Sequence, residues 1–216
     1  MANSACHPVS VRVAAPLRVS DDAVRLAVIG KLGWIKRQQG RFKAQARQSD
    51  REMVSGESHY FLGRRYRLRV VEHNGAPKAA VRGRFLEQQV RLGKSPSQRE
   101  AVLERWYRRQ LKQLIPPLIE KWQKILGVAL AAWGIKKMKT RWGTCNAEAR
   151  RIWLNLELAK KPVKCLEYLI VHELAHLLAR HHDDRFVAVM NNHLPQWRLH
   201  RAELNSAPLA HETWSY

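Results

Sequence analysis

The chain has 216 residues with 39 Lys and Arg against 18 Asp and Glu, a formal charge of +21 that exceeds what solubility alone requires. Its 45% hydrophobic content supports a packed core and excludes a disordered chain, and Cys6, Cys145 and Cys165, with no Cys-x-x-Cys spacing, exclude a disulfide framework and a structural zinc knuckle. No apolar stretch is long enough to cross a bilayer and Arg12, Arg18, Asp21 and Asp22 interrupt the start, so we expect no membrane association and a soluble protein of a reducing, cytoplasmic compartment.

Val9 to Ala15 alternates like a strand and stops at Pro16. Ser20, Asp21 and Asp22 then supply cap and first-turn chemistry for a helix carrying Val24, Val28, Leu32 and Ile35, which the basic run from Lys36 to Arg47 extends as a solvated face. From Tyr60 the period changes to two: Tyr60 with Leu62, then Tyr66, Leu68 and Val70, predict strands, and Asn74-Gly75 predicts a hairpin turn within a β-rich section over residues 58 to 92. Pro96 and Ser97 open a helix with Val102, Trp106 and Leu111 that Pro116-Pro117 is expected to break or kink, before Leu118, Trp122, Ile125 and Leu126 resume it up to Gly127.

Ile135 to Met138 reads as a strand, and Ile152 to Leu156 as its return in a hairpin or wide-looped pair. Pro162 sits where a helix can start, with Leu166, Leu169, Ile170, Leu174, Leu177 and Leu178 as its apolar face. A further helix includes Phe186, Val189 and Met190, and Pro195 marks the start of another.

The chemistry sits in the helix after Pro162. His172-Glu173-Leu174-Ala175-His176 places two imidazoles one above the other on one face, so both can reach one ion. Glu173 is rotated from His172 by about 100°, outside the ligand set but able to reach a water on the ion, as a general base must. The three ionisable groups His172, Glu173 and His176 stand among the apolar residues of the helix's second half, where such groups are tolerated near a core when paired or metal-bound. A catalytic zinc takes a third protein ligand and leaves one position open. The downstream candidates are His181, His182, Asp183, Asp184, His193, His200 and Glu203. The six-residue interval to His182 lets the helix end and the chain turn back, which favours His182, with His181 as its main competitor.

Taken together, Lys139-Thr140-Arg141-Trp142-Gly143-Thr144-Cys145, the run Ile152 to Leu158, Tyr168 to Leu177, and His182 followed by Phe186 resemble the YgjP-like metallopeptidases, relatives of the SprT-like group. The likeness extends to Val11 to Val24 and Leu62-Gly63-Arg64-Arg65-Tyr66. It implies a zincin-like fold with ligands at His172, His176 and His182 and the base at Glu173. Thr144, Asp183 and Val187 depart from the family pattern without removing a ligand.

Arg141, Trp142 and Asn155 are the next candidates, for substrate binding: a strand just ahead of such a helix can offer its edge to an extended peptide, with Asn155 orienting it and Trp142 walling the cleft. Cys145 is read as a buried structural thiol in preference to an inhibitory ligand. The expected architecture is α+β: an N-terminal strand, helix and β-hairpin portion over residues 1–95, a zincin-like hydrolase domain over 96–206 and a tail over 207–216. The expected activity is peptide-bond hydrolysis with one Zn2+ per chain, acting on a peptide or protein. Two alternatives remain at this level. One is a nucleoside triphosphate pyrophosphohydrolase using the same ion. The other is a nucleic-acid-binding protein with a structural zinc, to which the basic surface would contribute.

Overall fold

The computed structural model describes residues 18–44, 52–138 and 141–206, together with 11, 13, 15 and 16. The strand expected over Val9 to Ala15 falls largely outside them. The chain divides into two compact units, Met1–Arg47 and Gln48–Tyr216, so the boundary expected near residue 95 falls inside the second unit. The architecture is mixed α and β, as expected.

In the first unit α1 (Asp21–Gly30) begins at Ser20, whose hydroxyl accepts from the Ala23 N–H at 3.3 Å, with Asp21 and Asp22 at the positive end of the helix dipole. The chain turns at Lys31 and continues as α2 (Leu32–Ala44), so the single expected helix is two.

The second unit opens with a four-stranded sheet of β1 (Ser58–Phe61), β2 (Arg64–Glu72), β3 (Lys78–Arg82) and β4 (Phe85–Val90), in the order β1-β2-β4-β3. β1 and β2 form a tight hairpin, Phe61 opposite Arg64, through Leu62 (φ 49°) and Gly63 (φ 80°), the left-handed pair such a turn needs. The Asn74-Gly75 expectation is corrected: β2 and β3 do not pair, because β4 lies between them, parallel to β2 and antiparallel to β3. The Asn-Gly turn closes locally instead, the Gly75 N–H donating to His73 Nδ1 at 2.7 Å. The tight reversal belongs to Gly83 (φ 57°) between β3 and β4.

α3 (Pro96–Leu126) runs 31 residues without a break, correcting the expected interruption at Pro116-Pro117. Both prolines face solvent while Leu111, Ile115 and Ile119 stay buried on the opposite side, so the carbonyls they leave without donors are on the wet face. A Ser95/Gln98 capping box starts the helix and Gly127, at φ 65°, ends it. Tyr107 donates its hydroxyl to the Tyr60 carbonyl at 2.7 Å, tying α3 to the sheet, and Trp122 donates its indole N–H to Glu167 at 2.9 Å, tying it to α4 (Val163–Ala175).

A second sheet is built from β5 (Ala132–Lys136), β6 (Gly143–Asn146) and β7 (Arg151–Asn155) in the order β5-β7-β6, with β5 parallel and β6 antiparallel to β7. Buried Ile152 and Leu154 form its inner face, against which α4 packs. A short 3-10 turn, Leu156–Lys160, leads into α4. The β1–β2 hairpin tip docks there: the Leu62 N–H reaches the Ala159 carbonyl at 2.9 Å, and Gly63 lies so close to Pro162 that a Cβ would come within 2.7 Å of its ring. Glycine at 63 is therefore required twice, for its φ and for its contact. α5 (Asp184–His193) and α6 (Trp197–Ser206) complete the unit, Phe186, Met190, Trp197 and Leu204 being buried. Among the described residues no helix is long and apolar enough to cross a membrane.

Candidate metal centre and cleft

α4 is buried on most of its circumference, and its polar break at residues 172–176 faces a cleft of about 550 Å³ between the helix end and β6. His172 is half-buried on the last full turn, and His176 stands at the C-cap, where the helix ends. Its Nδ1 donates to the Ala179 carbonyl at 3.2 Å, leaving Nε2 with a lone pair facing the cleft. The turn through Leu177 and Leu178 brings the chain back, and Asp183 caps α5 by accepting from the Phe186 N–H at 3.0 Å. His182, the residue before that cap, is thereby set opposite the helix.

His172, His176 and His182 each offer one ring nitrogen within 4.8 Å of the others, the metal-competent cluster found among the described residues. His172 Nε2 and His182 Nε2 stand 3.1 Å apart. Two imidazole nitrogens held at about 2.0–2.1 Å on a tetrahedral ion would stand about 3.3–3.4 Å apart, so the spacing fits a shared zinc-sized ion. His172 Nδ1 is buried without a hydrogen-bond partner and its Nε2 meets only His182, so this ring lacks the protein partners that buried polar groups normally have. Burial, reinforced by the neighbouring imidazoles, pushes His172 down to about 3 and lowers His176 as well. Both are neutral at pH 7, the form that ligates metal.

Phe186, which is 1% exposed, lies against all three imidazoles, with ring centroids 4.7 to 5.0 Å away. It forms the apolar floor that fixes their orientation. In the sequence Phe186 stood on a helix and, following His182, among the residues of the family resemblance, but without a role at the imidazoles.

Glu173 is 4% exposed, and burial pushes its carboxyl up to about 8, partly opposed by the positive charge of Arg141. Its carboxylate lies on Gly143 of β6, where a Cβ would come within 2.5 Å of Oε1. A glycine inside a strand marks such a close approach, a second signal the sequence reading passed over.

The remaining candidates separate. Arg141 lines the cleft, joined by Arg180 and His181, which the sequence did not single out for substrate. His181 is exposed and outside the three-imidazole cluster. Cys145, expected buried, is half-buried and lines the cleft from β6; burial first and Glu173 second push its thiol up to about 11, and it stays outside the metal cluster. Trp142 is half-buried against the core, with Lys161 Nζ 5.2 Å from its ring centroid, and does not line the cleft.

Asn155 is corrected outright. It is fully buried, and its side chain is saturated by four internal hydrogen bonds. It donates to the Met138 and Arg141 carbonyls at 2.8 and 2.7 Å and accepts from the Met138 and Glu157 N–H groups at 3.3 and 3.2 Å. An amide with both donors and both acceptor sites filled has nothing left for substrate. It holds in place the segment that carries Arg141. Asn155→Ala is expected to destabilise the fold by about 3–5 kcal/mol, since several buried backbone groups lose their partners. Denaturant unfolding measures this, and a loss below about 1 kcal/mol would contradict the structural assignment.

Residues 5–207 match the family model described as YgjP-like, metallopeptidase domain. The chain belongs to this family. It is accordingly a metal-dependent peptidase by membership. Among solved structures, the chain is similar to the metallopeptidase zymogen of Pyrococcus abyssi abylysin at 20% identity and a TM-score of 0.41, over 45% of this chain and 97% of that one. It is also similar to the zymogen of Methanocaldococcus jannaschii jannalysin at 20% identity and a TM-score of 0.36, over 41% of this chain and 89% of that one. Comparison with curated proteins finds no match.

Proposed function

We propose that this YgjP-like protein is a zinc-dependent peptidase in which His172, His176 and His182 hold one ion and Glu173 is the general base. The observation that carries the reading is the convergence of three imidazoles on one point, with a buried carboxylate beside them at the floor of an open cleft. Bound there, zinc would polarise the scissile carbonyl and acidify the attacking water. Glu173 takes the proton from that water and passes it to the departing amine. Gly143 and Phe186 keep the carboxylate and the imidazoles from drifting.

The substrate is read as an extended peptide. β6 is an edge strand of its sheet and lines the cleft, so its outer edge is available to pair with an added strand; β7, the strand just ahead of α4 to which the sequence pointed, is central and has no free edge. Arg141 stands at the same cleft as the substrate-binding residue retained from the sequence reading. The free thiols of Cys145 and Cys165 suit a reducing, cytoplasmic setting.

Metal analysis and chelation test the proposal. The purified protein should carry about one zinc per chain. Chelation should abolish hydrolysis of a mixed peptide library, and added zinc should restore it. Hydrolysis of nucleoside triphosphates with every peptide spared would transfer the same site to phosphoanhydride chemistry. Zinc content without effect of its removal on any hydrolysis would make the ion structural.

A further inference from the structure

The sheet that carries the cleft has a second edge. β5 pairs with β7 on one side, and among the described residues no strand pairs with its other side. That free edge lines a groove of about 550 Å³ whose floor is Trp133, Gly134 and Ile135 and whose wall is Arg108 and Lys112 of α3. With β7 between them, β5 and β6 are two strand spacings apart, about 10 Å, so this groove is separate from the catalytic cleft.

We propose that the groove between α3 and β5 is a docking site for an acidic, extended polypeptide segment, which adds as a strand along Trp133–Ile135 and places carboxylates on Arg108 and Lys112.

Three features set the chemistry of the occupant. A free strand edge presents alternate N–H and C=O groups, which an extended peptide satisfies along its length. Arg108 and Lys112 have no carboxylate partner among the described residues, whereas Lys137 in the segment after β5 is paired with Glu100 and Glu104. The cations of the groove wall are therefore available while their neighbour is not. Being four residues apart on one helix face, they are spaced by about 6 Å along the axis, close to the about 6.6 Å between same-face side chains of a strand. A segment with acidic residues at alternate positions matches that spacing, and the half-buried Trp133 and Ile135, which share one sheet face with Ile152 and Leu154, offer apolar surface to the stems of the side chains on that face. Stacked bases and phosphates would use the cations and Trp133 but would leave the strand edge unsatisfied.

The test uses the full chain and a fluorescent peptide alternating Glu and Val, with Gln/Val and Lys/Val peptides and a single-stranded oligonucleotide as comparators, read by anisotropy. The Glu/Val peptide should bind best, and methylating its alternate amide nitrogens should weaken it. The double variant Arg108→Gln with Lys112→Gln should bind it at least about tenfold more weakly, while hydrolysis of a short neutral peptide is unchanged. The exchange Arg108→Lys with Lys112→Arg, which keeps both charges on the helix, should retain binding and shows that the loss is not a folding defect. Metal chelation should leave binding intact. Equal binding of the Gln/Val peptide, undiminished binding by the double variant, loss of binding on chelation, or tighter binding of the oligonucleotide would each overturn the proposal.

Discussion

Glu173→Gln is expected to lower peptide hydrolysis by about 10²–10⁴-fold while zinc content and fold stay those of the unaltered protein. The residue is asked to move protons and not to hold metal: it is rotated off the face that presents His172 and His176, and its carboxylate rests on Gly143 of the facing strand. The amide has nearly the same shape, so the contact with Gly143 is kept. It also carries no charge. The folded carboxyl lies near 8 without metal, above its ordinary value, so the fold disfavours the ionised form and loses stability as pH rises from the ordinary carboxylate range towards 8. Glutamine has no ionised form to disfavour, so the metal-free variant should be no less stable than the parent at neutral pH. Single-turnover hydrolysis, zinc analysis and thermal unfolding on the same preparations measure the three quantities. A variant that hydrolyses peptides at the parent rate would remove Glu173 from the proton path, and with it the proposed mechanism.

The parts of this arrangement that were legible in the sequence are those that depend on local period. A helix repeats every 3.6 residues, so the stacking of His172 on His176 and the offset of Glu173 followed from spacing alone. His182 was legible for a related reason, since six residues suffice to end a helix and return. The pairing of β2 with β4 was not, because Asn74-Gly75 reports only that the chain turns there, and which strand fills the neighbouring position is decided by burial of Leu68 and Leu86 elsewhere in the sheet. Pro116-Pro117 misled in the opposite sense. A proline removes a hydrogen bond wherever it stands, but its cost depends on whether water can replace that bond, and sequence does not show which face of α3 is wet. Asn155 shows the same limit at the site itself. A polar residue at the end of a strand near a catalytic helix reads as a substrate contact until its four internal hydrogen bonds are seen.

His172→Ala, His176→Ala and His182→Ala should each strip the chain of zinc and abolish hydrolysis, whereas His181→Ala, His193→Ala and His200→Ala should retain both. Losing an outer-shell partner of a ligand costs about 10–100-fold in metal affinity, and losing a ligand itself costs more, since three protein donors are the minimum of a catalytic site. The three variants should differ in stability even where they agree in metal content. His172 is half-buried against Phe186 and Tyr168, with ring centroids 5.0 and 5.8 Å away, so its truncation leaves a cavity. His176 also loses its bond to the Ala179 carbonyl, which holds the turn after α4. His182 is exposed and precedes the α5 cap without belonging to it, so His182→Ala should unfold almost as the metal-free parent does. That makes it the cleanest test of the ligand set, because its metal loss cannot be ascribed to a damaged fold. Full zinc occupancy in His182→Ala would move the third ligand elsewhere, His181 first, since it lines the same cleft one residue away.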